Sequence, residues 1–360
     1  MTDRPSAATA RYARDALAAW CAGILQRAGV PPADSELAAE ILVRTDARGF
    51  GTHGLTRLRS YVEKLSSGEV LPEPTMKPEM AGAYGVVEAG GALGQVAGPF
   101  AVEQAVEATR SMPIAAVMLR NTGHLGALGM HVLRAAEAGR VALVMQATPP
   151  IIAMPGAAGP MLGNNPFAIA APRPDGPTIV VDMACSVAAR GNILLAARAG
   201  QPIPEGWAVD ETGAPTVDPD RALMGSLLPF AGHKGLGLAV IVELLAGSLS
   251  GRPFESVLNK GGAVRSASGS LNALFLVFNP DLMIGRAAYD AHVAAWTTHF
   301  KAAGRGARIP GERAHAAETA AAAEGIALPQ AIVDELETLG ADHRLPFPET
   351  IDRAARAAAL

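Results

Sequence analysis

The feature that most constrains this chain is how its apolar runs are cut short by Gly/Pro-rich turns carrying isolated polar residues. Five such segments stand out. They are Thr52-His53-Gly54 with Arg57 and Tyr61, Asn121-Thr122-Gly123-His124-Leu125-Gly126, and Gly163-Asn164-Asn165-Pro166. The strand end Val180-Val181-Asp182-Met183-Ala184 and the segment Gly232-His233-Lys234-Gly235, which opens an apolar helix, complete the set. Histidine exchanges a proton near neutral pH, arginine clamps a carboxylate with two hydrogen bonds, and a helix N-terminus attracts phosphate. Together these residue types point to a site for an anionic substrate and a phosphorylated cofactor.

The chain has 360 residues, which at about 150 residues per domain predicts two domains. Hydrophobic residues make up 49% and charged residues 18%, so a large interior is expected. Aromatics are only 4%, and that interior must be built from small and aliphatic side chains. A net charge of −4 gives no basic footprint and argues against a nucleic-acid partner. With only Cys21 and Cys185, a disulfide scaffold is excluded and a reducing compartment fits. Residues 1–20 lack the continuous apolar core of a signal peptide. The uncharged stretch 141–163 is broken by Pro149, Pro150, Pro155 and Pro160, so it is not a spanning helix. The expectation is a soluble, cytoplasmic protein with no membrane partner.

Residues 12–28, 35–48 and 57–66 have apolar residues at helical spacing and predict a helical N-terminal layer. A Gly/Val-rich stretch, 82–97, precedes a helix over 100–110. The β-rich run 115–119 delivers the chain to His124, and a helix over 129–138 ends at Gly139, a C-cap. Strands are expected at 141–146, 168–171 and 179–182, followed by a helix over 187–199 ending at Gly200. Residues 203–219 read as loop or short hairpin. A strong apolar helix spans 236–249 and a buried strand 273–278. From 282 to the end the pattern is helical and Ala-rich, broken near Ile309-Pro310-Gly311. No repeat is visible. Strands mixed with helices indicate an α/β class, with helices at both chain ends. The division expected is residues 1–120 with 285–360 as a helical substrate domain, and 121–284 as the cofactor-binding domain.

Neither G-x-G-x-x-G nor a Walker loop occurs, which counts against a Rossmann domain but not against dinucleotide binding. His53 lies at a helix start, where Thr52 could act as the cap and the histidine be incidental. Arg57 and Tyr61 follow at four-residue steps, however, so on one helix the three form a polar stripe suited to a carboxylate. His124, flanked by glycines, is either a structural loop histidine or a catalytic one. Lys234 at a helix start opposes the dipole, which a bound phosphate or carboxylate explains better than plain solvation. Asp182 either caps the next helix or hydrogen-bonds a ribose hydroxyl. Cys185 reads as packed. No cluster has metal-ligand spacing, so no metal is expected.

In this order, the segments resemble the type-2 malate/L-lactate dehydrogenase family, which includes sulfolactate and ureidoglycolate dehydrogenases and cyclic ketimine reductases. The resemblance runs from Asp46 to Pro310. It also takes in Asp46-Ala47-Arg48-Gly49, Ile203-Pro204-Glu205-Gly206-Trp207-Ala208-Val209-Asp210 and Pro215-Thr216-Val217-Asp218-Pro219. It implies a non-Rossmann NAD(P)-binding fold around a mixed, largely antiparallel sheet, and a homodimer with its active site in a cleft. By position, His124 matches the acid/base histidine of the ureidoglycolate branch and His53 that of the ketimine-reductase branch. Arg57 corresponds to a carboxylate contact, with Thr52, Tyr61 and Asn192 completing the substrate set. Asp182, Met183, Ala184, His233, Lys234 and Gly235 correspond to cofactor contacts, as do Pro310, Gly311 and Glu312. Two positions depart from the pattern. Thr52 stands where the family generally has Ser, and Asn192 where it has Lys or, in ketimine reductases, Asp. The resemblance thus implies an oxidoreductase using NAD or NADP on a small 2-oxo or 2-hydroxy acid, or alternatively on a cyclic ketimine acid. A non-catalytic metabolite binder is the competing class, disfavoured by the presence of both histidines, Arg57 and Lys234.

Overall fold

Short elements and abrupt turns organise the computed structural model, which describes residues 9–157, 159–251 and 271–352. Strand β1 (Thr9–Tyr12) leads into helices α1 (Arg14–Arg27) and α2 (Pro32–Ala47). Two 3₁₀ turns, Gly51–His53 and Leu55–Arg57, then feed α3 (Leu58–Ser66). Next come β2 (Lys77–Ala81), β3 (Tyr84–Glu88), α4 (Gly94–Ala108), β4 (Ile114–Thr122) and α5 (Leu128–Glu137). Strands β5 (Val141–Ala147), β6 (Pro150–Ile152), β7 (Leu162–Gly163), β8 (Phe167–Ala171) and β9 (Ile179–Met183) follow. Then come α6 (Arg190–Arg198), β10 (Ala208–Val209), β11 (Pro215–Thr216), α7 (Pro219–Met224), β12 (Ser226–Leu227) and α8 (His233–Val242). The last described segments are β13 (Leu271–Phe278), α9 (Pro280–Met283), α10 (Arg286–Ala302), α11 (Glu312–Glu324), β14 (Ile326–Pro329) and α12 (Gln330–Asp342).

A seven-stranded sheet in the order β2-β3-β4-β13-β5-β8-β9 forms the centre. Only β3 and β4 pair in parallel; the other neighbours are antiparallel, so the sheet is mixed and largely antiparallel. Strand β4 crosses residue 120, and the sheet therefore draws on both sides of that position. Val117, Leu119, Val144, Phe275 and Val277 from the middle strands pack with Ala97, Ala101 and Ala105 of α4 and Val132, Ala135 and Ala136 of α5. Alanine on the helices lets them approach the sheet closely, so a core poor in aromatics can still be closely packed. Gly98 shows how tight this is, because the ring of His131 occupies the space a Cβ would need.

The two chain ends form one helical layer. Leu17, Trp20, Ile24, Leu25, Leu42, Leu58 and Val62 share a core with Val333, Leu336 and Leu339 of α12. Here the expectation of a purely helical C-terminal region is corrected within the described residues. Residues 326–329 form a strand that pairs antiparallel with β1, from Tyr12↔Ile326 to Thr9↔Pro329. Its buried–exposed alternation lasts four residues, too few to outweigh the surrounding alanine-rich pattern. Helix α4 also begins earlier than expected, at Gly94, and carries Pro99 inside it. The remainder of the expected C-terminal helix, 353–360, lies outside the described residues.

A second sheet, β11-β10-β12-β6-β7, packs Ile152, Ala208 and Leu227 with Ile193, Ile203 and Ala239. The expected helix over 236–249 starts at His233 and passes through a π turn (Glu243–Gly247) and a 3₁₀ turn (Ser248–Ser250). The run His233–Ser250 has a mean hydropathy of 1.2 and is long and apolar enough to cross a membrane by length and composition, with 33% of it buried. Ala239, Val242 and Ala246 face inward, whereas Val240, Ile241, Leu244 and Leu249 are exposed.

Phe275 is a large, fully buried side chain at the centre of the main sheet. Phe275→Ala should cost about 3–5 kcal/mol through lost burial and a residual cavity. Urea unfolding would show this as a lower midpoint with an unchanged slope.

Candidate active site

The segment after α2 is shaped by one buried carboxylate. Asp46 Oδ2 accepts the main-chain N–H of Leu55 at 2.7 Å. Gly54 packs so closely on that carboxylate that a Cβ would collide with it. The backbone therefore breaks at Gly54 (φ −91°, ψ −135°) instead of continuing as a helix. This corrects the picture of a single helical stripe: His53 and Arg57 lie on separate 3₁₀ turns and Tyr61 on α3. Thr52 does not cap the turn; its hydroxyl lies 3.0 Å from His53 Nδ1. Arg57 Nε donates to the Thr52 carbonyl at 2.8 Å, and among the described residues no carboxylate pairs with the guanidinium.

His124 arrives from the other side, just past the end of β4. Its loop is held by Gln146 of β5, buried, whose Oε1 accepts from Leu125 N–H and whose Nε2 donates to the Gly123 carbonyl, each at 3.3 Å. Gly126 adopts φ +75°, a conformation that favours glycine. The His124 ring stacks on His53, with centroids 5.9 Å apart and planes at 25°. Its Nδ1 lies 3.0 Å from the Tyr61 hydroxyl, which in turn accepts from Gln95 Nε2 at 2.9 Å. Tyr61 is 4% exposed, so its hydroxyl sits behind His124. Thr52, His53, Arg57, Tyr61 and His124 are thus brought together.

The electrostatics of this cluster are those of a cation awaiting an anion. Burial, followed by the Arg57 charge, lowers the His53 pKa to about 4. For His124, burial and then the charges of His53, Arg57, Lys64 and His131 lower it to about 3. Burial raises Tyr61 to about 12, against the opposing effect of Arg57 and the Gln95 hydrogen bond. Both imidazoles are therefore neutral at pH 7, and the field of Arg57 reaches all three rings. A carboxylate bound at Arg57 would offset that charge and make each histidine easier to protonate.

Asp182 marks the other half of the site. It closes β9, and its Oδ2 accepts the N–H of Gly129 in the first turn of α5 at 2.7 Å. Burial raises its pKa to about 6, which the Gly129 hydrogen bond opposes. A cavity of about 340 Å³ is lined by Asp182, Pro310 and Gly311 together with Phe50, Arg48, Arg308 and Arg313. Arg308 and Arg313, which pair with no carboxylate among the described residues, and the half-buried Asp182 carboxylate suit a ligand with both phosphate and hydroxyl groups, such as a nucleotide. Among the described residues Asp182 Oδ1 has no partner, which leaves it as an acceptor for such a hydroxyl.

Met183 and Ala184 continue the strand end half-buried, and Gly235, where a Cβ would collide with the Phe230 carbonyl, also packs close to the Cys185 carbonyl. That contact seats the N-terminus of α8 beside residues 184–185, with His233 and Lys234 exposed there. Lys234 has no carboxylate partner among the described residues. Glu312 is committed elsewhere. Its carboxylate binds Arg173 and Lys301 and accepts from Ile309 N–H, interactions that hold its pKa near about 2. Asn192 is not brought to the histidines; it is exposed on α6 and lines a separate cavity with Ile203 and Trp207.

Sequence reasoning missed Gln146, which holds the His124 loop, and two further residues that shape the site. Asp46 lies in the Asp46-Ala47-Arg48-Gly49 fragment, but nothing local says that its carboxylate turns toward Leu55. Gln95 carries one signal, a polar residue among Gly94, Val96, Ala97 and Gly98 on a helix face that is otherwise apolar.

Burial raises the Asp46 pKa from 3.8 to about 7, against the Leu55 hydrogen bond. With the folded value above the unfolded one, the stability this group carries is full below about pH 4. It is lost as pH rises through about 7. Asp46→Asn, which cannot ionise, should gain stability relative to the parent across that window and run parallel to it above. Urea unfolding of both proteins at intervals across the window measures the difference, and a constant offset throughout would refute the assignment.

Comparison with known proteins bears on this arrangement. The malate/L-lactate dehydrogenase family model matches residues 12–337. The chain is 36% identical over 314 residues to the (2R)-3-sulfolactate dehydrogenase (NADP(+)) of Chromohalobacter salexigens, covering 87% of this chain and 92% of that protein. It is 38% identical over 321 residues to a Δ1-pyrroline-2-carboxylate/Δ1-piperideine-2-carboxylate reductase of Pseudomonas aeruginosa, covering 88% and 95% respectively. Its fold superposes on the sulfolactate dehydrogenase of Methanocaldococcus jannaschii with a TM-score of 0.83 at 29% identity, over 96% of this chain and all of that one.

Proposed function

We propose, for a chain that belongs to the malate/L-lactate dehydrogenase family, that the cleft between the 3₁₀ turns and the β4–α5 loop is its active site. The protein is an NAD(P)-dependent oxidoreductase. Its substrate is a small 2-hydroxy or 2-oxo acid, with a cyclic ketimine acid as the alternative supported by the 38% identical reductase. The observation that carries the reading is the guanidinium of Arg57, matched to no carboxylate among the described residues, beside two stacked, neutral histidines.

Arg57 holds the substrate carboxylate by a bidentate pair, which fixes C2 relative to the rings. His124 presents its Nε2 to the oxygen or nitrogen at C2 and, in the reductive direction, supplies the proton there. His53, oriented by Thr52, donates a hydrogen bond to the substrate carboxylate or to the same oxygen. Carboxylate binding raises the histidine pKa values, so substrate binding and proton uptake are coupled. A nicotinamide nucleotide, when bound, supplies or accepts the hydride. The residues that would hold it are Asp182, Pro310 and Gly311 around the arginine-lined cavity, with Met183, Ala184, His233, Lys234 and Gly235 alongside. Glu312 acts from behind that cavity by fixing Arg173 and the turn at Ile309. Asn192 would reach substrate only through a rearrangement of α6 or from another subunit. In the proposed division residues 1–120 with 285–360 supply Arg57 and His53, and 121–284 supplies His124 and most cofactor contacts.

The reading extends to a cytoplasmic homodimer. Two unpaired buried cysteines fit a reducing compartment. The exposed outer face of the run after His233, with Val240, Ile241, Leu244 and Leu249, is the kind of apolar patch that a second subunit covers. Light scattering at micromolar concentration should give twice the chain mass, and a stable monomer would remove the dimer.

Purified protein should oxidise NADH or NADPH with at least one member of a panel containing pyruvate, oxaloacetate, sulfopyruvate and a cyclic imino acid. No turnover with either cofactor over that panel would sink the functional reading. Arg57→Ala should raise KM strongly while leaving cofactor binding near normal. His124→Ala should lower kcat by about 10²–10⁴-fold, whereas His53→Ala should chiefly raise KM. The reverse pattern would transfer the proton donor to His53.

A further inference from the structure

Gln95 lies on α4 behind the cleft, 1% exposed, and touches neither the substrate side of His124 nor the cavity at Asp182. Its side-chain amide has one arm 2.9 Å from the Tyr61 hydroxyl and 3.4 Å from the His124 carbonyl. A carbonyl oxygen only accepts, so the arm facing it must be the NH₂ group. Tyr61 oxygen therefore receives an N–H from Gln95. The only other hydrogen-bond partner of that hydroxyl among the described residues is His124 Nδ1, at 3.0 Å. Its single O–H accordingly points at Nδ1. The main-chain N–H of Gly126 is directed at the same nitrogen, at 3.3 Å. Two donors converge on Nδ1, so it carries the lone pair. Nε2, which makes no hydrogen bond to the protein among the described residues, carries the proton.

We infer that Gln95 is a positioning residue that sets, through Tyr61, which nitrogen of His124 bears the proton, and so presents Nε2–H to the substrate. The inference rests on the reading of His124 as the group facing C2. The chain of donors runs one way: Gln95 Nε2–H to Tyr61 oxygen, Tyr61 O–H to His124 Nδ1, Nε2–H outward. Protonating Nδ1 as well would leave the Tyr61 O–H without its acceptor in a buried setting, which adds to the depression of the imidazolium by burial and neighbouring charge. In the ligand-free protein His124 is thereby kept neutral with Nε2–H turned outward; delivery of that proton then requires a second proton at Nδ1, taken up once a bound carboxylate offsets the Arg57 charge. The other arm of Gln95, Oε1, is buried with no partner among the described residues. That unmet acceptor shows that the amide is held in this orientation by Tyr61 and the His124 carbonyl rather than by satisfaction of all its groups.

Nitrogen NMR of the full-length enzyme with ¹⁵N-labelled histidine reads the tautomer directly, independently of turnover. In the parent protein His124 should show a protonated Nε2 and an unprotonated Nδ1. Gln95→Glu replaces the donor by a carboxylate that accepts the Tyr61 O–H, which forces Tyr61 oxygen to accept from Nδ1–H. The signals should then exchange, or both nitrogens become protonated, and kcat should fall by about 10²-fold with its pH dependence displaced upward. In a Tyr61→Phe background the same substitution should no longer move the His124 signals, because the link is cut. Should Gln95→Glu fold poorly, Tyr61→Phe alone should give mixed tautomers. A protonated Nδ1 in the parent, or unchanged His124 signals in Gln95→Glu or in Tyr61→Phe, would overturn the inference. Full activity of His124→Ala would instead overturn the catalytic reading, leaving the tautomer measurement to stand by itself.

Discussion

Each loop that carries a reactive side chain is tied down by a buried polar side chain reaching in from another element. Asp46 holds the turn bearing His53 and Arg57, Gln146 clamps the His124 loop on both sides, and Asp182 fixes the first turn of α5. The constraint is general: a loop brought into the interior exposes backbone N–H and C=O groups that secondary structure does not satisfy, and leaving them unpaired is costly. Short turns with glycine make the close approach possible, and the buried acceptors make it stable. The cleft is thus rigid because its loops are hydrogen-bonded into the scaffold.

On that scaffold the charge distribution is deliberately incomplete. Several arginines near the site are matched: Arg48 and Arg44 to Glu318, and Arg173 to Glu312. Arg57 is matched to no acid among the described residues and spends one N–H on the Thr52 carbonyl to fix its direction. Burial, reinforced by its field, keeps the histidines neutral. In the proposed reading a small carboxylic acid supplies the matching anion, which would couple binding and proton chemistry in one place. The same logic separates the two halves of the cleft, since the cavity at Asp182 offers arginines and a carboxylate, the pairing a phosphorylated sugar requires.

Relatives at similar identity act on sulfolactate and on cyclic imino acids, so the shared scaffold serves both C=O and C=N chemistry. A carboxylate clamp and a neutral imidazole donor suit either, because both substrates carry a carboxylate next to a polarisable double bond. Thr52 keeps the hydroxyl that orients His53. Asn192 faces a different cavity, so its missing charge does not bear on the His53–His124 cleft of one subunit.

The helices of the N-terminal layer, the central strands and the polar turns could be read from the sequence because each is a local matter of apolar spacing and turn residues. The convergence of His53, Arg57 and His124 was legible in outline, through residue type and through the order of motifs. That the first two share no helix was not, because Gly54 departs from helical geometry on account of Asp46, eight residues away in sequence. Strand β14 escaped notice because its partner lies more than three hundred residues earlier, and a four-residue pattern has no local signature. Gln95 and the direction of its donors depend on α3, α4 and the β4–α5 loop meeting at one point. The sequence by itself determined which chemistry the chain holds, because side-chain type and turn propensity are properties of neighbours along the chain. Only the tertiary structure decided which nitrogen of His124 meets the Tyr61 hydroxyl and which arginines are matched by carboxylates, because burial and hydrogen-bond direction are properties of neighbours in space.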